Sequence, residues 1–530
     1  MTTFHDFLRT SAELHEERTA ILFEEQALSY RTLLARTESL AAGFAELGID
    51  AHDRVAIIAD NSVEAILAWL ASSLTGCTEV PINPQYRGQL LAYLLGDCEA
   101  TVVVCDEQYL AQLLEIAERI PSLRMVIVNG ELYPSASSGV RQISLSTCYR
   151  SAPFTPRSDT VERVILYTSG TTGPSKGVVH TQKSCLVLAR YNAAVLGYQP
   201  SDRLLNFFPL FHQNARYTGV IPALAVGASI RIERRLSTST FWNTCDRDGI
   251  TAFNYLGSVL RMILNVTGPE RRTGTHSVVK AFGAGASPET WAEFAERLGI
   301  QLYETYGLSE APMATINTPG TGRSPIGSAG RASDLFEVAV FDDADRPIPS
   351  GQIGEIVLRP RCADAMMVGY HNKHEATVRA YRNLWFHSGD RGYFSEAGDL
   401  FFEERGKDSI RRRGENVSAW EVERIIEQHP AVGEAAVYGL PARDFDEEVA
   451  VSIVPSREGG GDLGAILAFA RERLPSYAVP TLMRIASDLP RTPTAKVKKD
   501  ELRSLGREGH ADMSAWPGQR RRKTEGKDAG

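Results

Sequence analysis

Apolar, strand-like runs alternate with helix-like stretches through the first 150 residues. Residues 63–74 are apolar with few breaks, residues 101–105 (TVVVC) read as a buried strand, and residues 124–129 (RMVIVN) repeat that pattern. A further strand-like run covers residues 161–167. Ser229–Ile232 and residues 354–358 add two more, the second behind a turn containing Pro347, Pro349 and Gly351. After Asp408 the alternation resumes, with residues 419–428 helix-like, 435–438 strand-like and 463–474 helix-like. Strands alternating with helices predict a largely parallel α/β sheet. No internal repeat is evident. Residues 504–530 are polar, carry a basic cluster at 519–523 (QRRRK), and read as a disordered tail.

A chain of 530 residues is too long for one core, so two or more domains are expected. Its 43% hydrophobic and 23% charged residues are ordinary for a soluble globular protein. A net charge of −8 argues against a nucleic-acid binder. No apolar run reaches the ~18 residues of a membrane span, and the first twenty residues lack a signal peptide's apolar stretch. Seven cysteines form no CxxC pair, which suggests neither a disulfide framework nor a zinc site and fits a reducing cytoplasm. His371 and His374 have HxxH spacing, but no third ligand cluster accompanies them, so a metal role is not expected.

The segment 167–179, YTSGTTGPSKGVV, carries the most chemistry. Gly170, Gly173 and Gly177 let backbone turn tightly and lie close to an anion. Backbone N–H groups, the hydroxyls of Thr168, Ser169, Thr171 and Thr172, and the Lys176 ammonium are donors. Together they describe a loop that grips phosphate. It is not a P-loop NTPase site, because Ser175 stands where that motif needs glycine before its lysine.

The loop resembles the signature of the adenylate-forming superfamily of acyl-CoA synthetases, nonribosomal adenylation domains and luciferases. The resemblance covers roughly residues 10–503. It is carried also by YETYGLSE (303–310), AFGAGAS (281–287), WFHSGD (385–390), ERGKDSIRRRGENVSAWEVE (404–423) and LPRTPTAKVKKDEL (489–502). The resemblance implies an α/β fold, with a large multi-subdomain N-terminal domain of mixed and parallel sheets (1–406). A small mobile α+β C-terminal domain (407–503) then precedes the tail.

The resemblance also implies roles. Thr168 to Gly173 and Lys176 would wrap the β- and γ-phosphates of ATP. Gly283, Ala284 and Gly285 would line the acyl pocket and touch adenine, beside Tyr303, Glu304, Thr305 and Ser309. Tyr306 would stack on adenine, Glu310 would hold Mg²⁺, and Asp390 would bond the ribose hydroxyls. Carboxylate oxygens suit a hard cation, and an ionised aspartate can accept two bonds from a diol. Arg405 would contact ribose or phosphate, Lys407 would be the hinge, and Arg411 and Asn416 would face nucleotide or CoA. Lys496 would bridge the substrate carboxylate and the α-phosphate, with Ala495 where the family has glycine. Arg412 and Arg413 read as a solvated basic face.

The resemblance implies activation by attack of a carboxylic acid on ATP, pyrophosphate release, and transfer of the acyl group to CoA. The closest resemblance is to crotonobetaine/carnitine-CoA ligase-like and medium-chain enzymes, through FPLFHQN (208–214), Phe241-Trp242 and FNYLG (253–257). His212, Asn254, Tyr255 and Gly285 would line or neighbour the acid. ATP, Mg²⁺ and CoA are the expected partners of a cytoplasmic monomer or homodimer. Two alternatives stand beside CoA ligation. One is an adenylating enzyme serving an amine, a carrier-protein thiol or a small inorganic nucleophile. The other is a nucleotide-binding scaffold that has lost catalysis.

Overall fold

The computed structural model describes residues 3–132, 139–151, 154–155, 163–168, 174–318, 324–404, 409–442, 446–456, 462–491 and 497–514. These divide into two compact units, one of residues 3–168 and 175–404, the other of residues 409–514.

The first unit holds three sheets among its described residues. In one, the strands Arg163–Thr168, Thr78–Pro81, Arg54–Ile58, Val102–Asp106, Met125–Asn129 and Arg141–Ser144 lie parallel in that order. Lys176–Thr181 and then Gly369–Tyr370 extend it antiparallel beyond Arg163–Thr168. A second sheet runs parallel through Gln301–Tyr306, Lys280–Ala284, Ala252–Leu256, Arg203–Asn206, Ser229–Ile232 and Thr19–Phe23, with antiparallel strands at both edges. The third is antiparallel and contains Phe336–Phe341, Gly354–Pro360, Trp385–Phe394 and Leu400–Glu404.

The strands expected in this unit thus form, within about two residues at each end. The apolar run at 63–74 becomes the helix Val63–Thr75, buried on every side except at Glu64. That burial explains its lack of a polar face. The Ser62 hydroxyl accepts from the Ala65 N–H at its start, and Gly76 at φ 76° ends it. Trp69 of this helix packs its ring 4.3 Å from the Arg216 guanidinium, which makes two 2.6 Å bonds to the fully buried carboxylate of Glu79.

The second unit pairs Val432–Pro441 with Glu447–Pro455 antiparallel, then Leu482–Ile485 parallel. The helices Ala419–Ile426 and Leu463–Arg473 accompany this sheet, and Ser409–Arg412 forms a ribbon with Glu415–Ser418. It is a small α+β unit, as expected.

Two expectations change. Arg412 is not a solvated charge: it is buried, donates to the carbonyls of Tyr477 and Val479, and pairs with Glu448 at 3.4 Å. Nor does order stop at residue 503. Ala511–Asp512 pairs antiparallel with Leu482–Ile485, Met513 is buried, and His510 shares a 2.8 Å hydrogen bond with the Tyr438 hydroxyl. Backbone pairing leaves no trace in so polar a sequence. Residues 515–530, with the basic cluster, lie outside the described residues. Among the described residues no helix is long and apolar enough to cross a membrane. The seven cysteines are unpaired, six of them buried and Cys362 exposed.

Candidate active site

Thr168 lies opposite Lys176 on the two antiparallel strands that precede and follow the phosphate-type loop in sequence. Its ends are tied down. The Tyr93 hydroxyl donates to the Ser175 carbonyl at 2.9 Å, and the Tyr167 hydroxyl donates to Asp97 at 2.8 Å. Lys373 pairs with the other oxygen of Asp97 at 3.0 Å. Gly177 has no room for a side chain, since a Cβ there would lie 2.6 Å from an Ile165 methyl. Ser169, Gly170, Thr171, Thr172 and Gly173 lie outside the described residues, as do Arg405, Lys407 and Lys496.

Glu310 stands near Lys176. The Tyr370 hydroxyl donates to its Oε1 at 2.7 Å, and Lys176 Nζ lies 5.0 Å from the Tyr370 ring centroid. Burial pushes the Glu310 carboxyl above its ordinary value. The Tyr370 hydrogen bond and the Lys176 charge pull it down, while Asp390 adds a raising charge. A desolvated carboxylate bonded to a neutral hydroxyl would be relieved by a cation, so the site fits Mg²⁺. Among the described residues no three His, Cys, Asp or Glu side chains gather as a metal cluster. Mg²⁺ does not need one, since it is commonly held by one or two carboxylates plus substrate phosphates.

The segment 303–306 is built from beneath. Tyr306 and Asp390, far apart in sequence, meet where the tyrosine hydroxyl donates to Asp390 Oδ2 at 3.0 Å. Both are buried. The Tyr306 N–H reaches the Thr315 hydroxyl at 3.3 Å, and the Thr305 hydroxyl donates to the Thr315 carbonyl at 2.7 Å. Beside Asp390, the Ser388 hydroxyl accepts its N–H at 3.1 Å and donates to the Ile356 carbonyl.

Glu304 points the other way. It accepts the N–H groups of Gly285 and Ala286, while the fully buried Tyr255 donates to its second oxygen at 3.2 Å. This fixes the turn at 283–285, where Gly285 has φ 78° and a Cβ on Gly283 would lie 2.1 Å from the Tyr255 carbonyl. Both glycines are therefore required by the backbone path. Asn254 is buried and donates to Asn214 and Thr218 at 2.9–3.1 Å. The partly exposed His212 packs its ring 4.4 Å from that of Phe211. Arg411 and Asn416 belong to the second unit and lie directly opposite each other across its ribbon.

Sequence reasoning missed Tyr370, Thr315 and His180. His180 is fully buried on the Lys176 strand, and its Nε2 lies 2.7 Å from the Ser309 carbonyl. A carbonyl only accepts, so Nε2 carries the proton and donates. Burial lowers the imidazole to about 4. The unfolded chain, with an ordinary histidine near ~6.5, binds more protons in that window. Stability present above the unfolded value is thus lost as pH falls, by about 2 kcal/mol at about pH 5. His180→Gln should flatten this slope in urea unfolding followed at pH 7 and pH 5. Equal slopes in both proteins would refute a buried neutral His180.

Residues 8–371 match the AMP-binding enzyme family, and residues 421–496 match the AMP-binding enzyme C-terminal domain. The chain belongs to the AMP-binding enzymes. Within this adenylate-forming acyl-CoA ligase family it is 30% identical to a crotonobetaine/carnitine–CoA ligase of Salmonella paratyphi A. The alignment spans 502 residues, 93% of this chain and 97% of the ligase. Amide bond synthetase McbA of Marinactinospora thermotolerans superposes with TM-score 0.82 at 25% identity, over 94% of this chain and 99% of McbA. A double mutant of o-succinylbenzoate CoA synthetase from Bacillus subtilis also gives 0.82, at 24% identity, over 96% of this chain and 99% of that one. At that identity the likeness is one of fold. The resemblance read from the motifs of this AMP-binding enzyme is thereby borne out.

Proposed function

We propose that this enzyme converts a carboxylic acid to its acyl-adenylate at the expense of ATP and passes the acyl group to the thiol of CoA. The observation that carries this reading is one connected set, Lys176–Tyr370–Glu310 and Tyr306–Asp390, drawn from four separate segments. A carboxylate is a poor electrophile because its leaving group would be oxide. In the first step its oxygen attacks the α-phosphorus and the bond to pyrophosphate breaks. In the second the CoA sulfur attacks the acyl carbon and AMP departs. Such chemistry needs positioning and charge neutralisation more than covalent help.

The loop at 168–173 and Lys176 would hold the phosphates, Tyr306 the adenine, and Asp390 and Arg405 the ribose side. Glu310 would hold Mg²⁺, which when bound neutralises charge on the departing pyrophosphate. Lys496 would serve where carboxylate meets α-phosphate, and Arg411 and Asn416 would serve the second unit's face. We place the domain boundary at 406/407 with Lys407 as hinge. His212, Asn254, Tyr255 and Gly285 would line or neighbour the acid. The unpaired cysteines favour the cytoplasm.

Likeness to McbA favours one second reading, in which an amine takes the acyl group. The test is pyrophosphate release from ATP and Mg²⁺ with a panel of acids, crotonobetaine and aryl acids included, each with CoA, with an amine, or with neither. Release that needs one acid and turns over only with CoA is expected. Turnover with the amine but not with CoA would replace the reading, and no release with any acid would overturn it.

A further inference from the structure

We infer that Tyr370 is a positioning residue: it keeps the phosphate-loop lysine and the proposed metal carboxylate apart and aimed, ready for Mg²⁺-bound ATP. The inference rests on the reading of Lys176 and Glu310 given above.

Tyr370 is buried, and its backbone is locked on several sides. Gly369 and Tyr370 pair with Val179 and Val178 of the Lys176 strand. The next residue, His371, donates its N–H to the Gly177 carbonyl at 2.7 Å. The Tyr370 N–H itself goes to the Thr377 hydroxyl at 2.9 Å. The Glu310 main chain is held from the same segment, where the Met367 N–H donates to its carbonyl at 2.8 Å. Two fixed backbones therefore present one tyrosine to two charged groups.

The two ends of that side chain act differently. The ring face attracts the Lys176 ammonium, whose Nζ lies 5.0 Å from its centroid. The hydroxyl donates to Glu310. A carboxylate only accepts, so the phenol is the donor. Lysine and glutamate of opposite charge would otherwise be drawn into a direct pair, each cancelling the group it is meant to offer. With the ring on one and the hydroxyl on the other, the ammonium stays available to phosphate and the carboxylate to a cation. No motif in the loop or around Glu310 calls for this residue. It arises only because a two-residue strand lies beside the lysine strand.

The two ends can be removed separately. Tyr370→Phe keeps the ring and deletes the hydroxyl, while Tyr370→Leu deletes both. The probe is ATP binding by calorimetry, in EDTA and in saturating MgCl₂, with thermal midpoints confirming that each variant is folded. In Tyr370→Phe, affinity in EDTA should be unchanged, and the gain on adding Mg²⁺ should fall by about 3–10-fold, the range of one hydrogen bond. Tyr370→Leu should lose the same gain and also bind ATP about 2–5-fold more weakly in EDTA, the range of a lost cation–π contact. Glu310→Gln separates the inference from the reading beneath it. Loss of the Mg²⁺ gain in Glu310→Gln but not in Tyr370→Phe overturns the role of Tyr370 and leaves the metal assignment standing. Retention of the gain in Glu310→Gln overturns the metal assignment and the inference with it. Equal weakening with and without Mg²⁺ in Tyr370→Phe marks a merely structural tyrosine and also overturns the proposal.

Discussion

Lys496→Ala is expected to lower acid-dependent ATP–pyrophosphate exchange by about 10²–10³, the usual cost of removing one donor aimed at developing charge. The same variant should form thioester from supplied acyl-adenylate at close to the wild-type rate. The reason is the different electrostatics of the two steps. Two anions, carboxylate and α-phosphate, must approach in the first, and a cation between them offsets their repulsion. In the second the acceptor is a thiol and the phosphate is already leaving, so that cation is no longer required. Both rates can be measured on one preparation. Equal losses in the two half-reactions would remove Lys496 from its assigned place.

The largest effect on stability is expected from Glu79→Ala. Glu79 is fully buried, and Arg216 nearly so, with two short bonds between them. Removing the acid leaves a guanidinium in the core with the Leu210 carbonyl and the Trp69 ring as remaining neighbours. An uncompensated buried charge of this kind costs about 3–5 kcal/mol. Replacing both residues by methionine should cost far less, because the penalty lies in the orphaned charge and not in the absence of the pair. Urea unfolding of the two proteins decides the matter. A loss below about 1 kcal/mol in Glu79→Ala would show that the pair contributes little as charges. Arg216 also begins the helical segment Arg216–Val220 just after residues 208–214, so the same variant probes the support of the candidate acid-binding segment.

What could be read from the chain was whatever is written contiguously. The strands at 102–106 and 125–129 each begin with four apolar residues in a row because parallel strands are covered on both faces. The loop at 167–179, the pair Tyr306 and Glu310, and Asp390 each sit in a short stretch of unusual composition. Residues that act across space carry no such mark. Tyr370 follows an ordinary apolar stretch, His180 occupies a strand position like any other, and Thr315 works through its hydroxyl and carbonyl on a neighbouring strand. Their partners lie 60, 129 and about ten residues away. Three arginines in a row suggest a wet surface, yet the middle one lies on the inward side of a strand, where alternation turns every second side chain toward the interior.

The short strand Ala511–Asp512 bears on how the chain can be shortened. Sequence similarity alone would invite a cut near residue 503. That cut would uncover the hydrogen-bonding groups of Leu482 and Met483 that now face Asp512 and Ala511, and would remove buried Met513. A bare strand flank with apolar side chains is a template for pairing between molecules. The polar stretch that looked expendable therefore acts as a guard against self-association, and a shortened protein that precipitates would be reporting a lost cover, not a failed core.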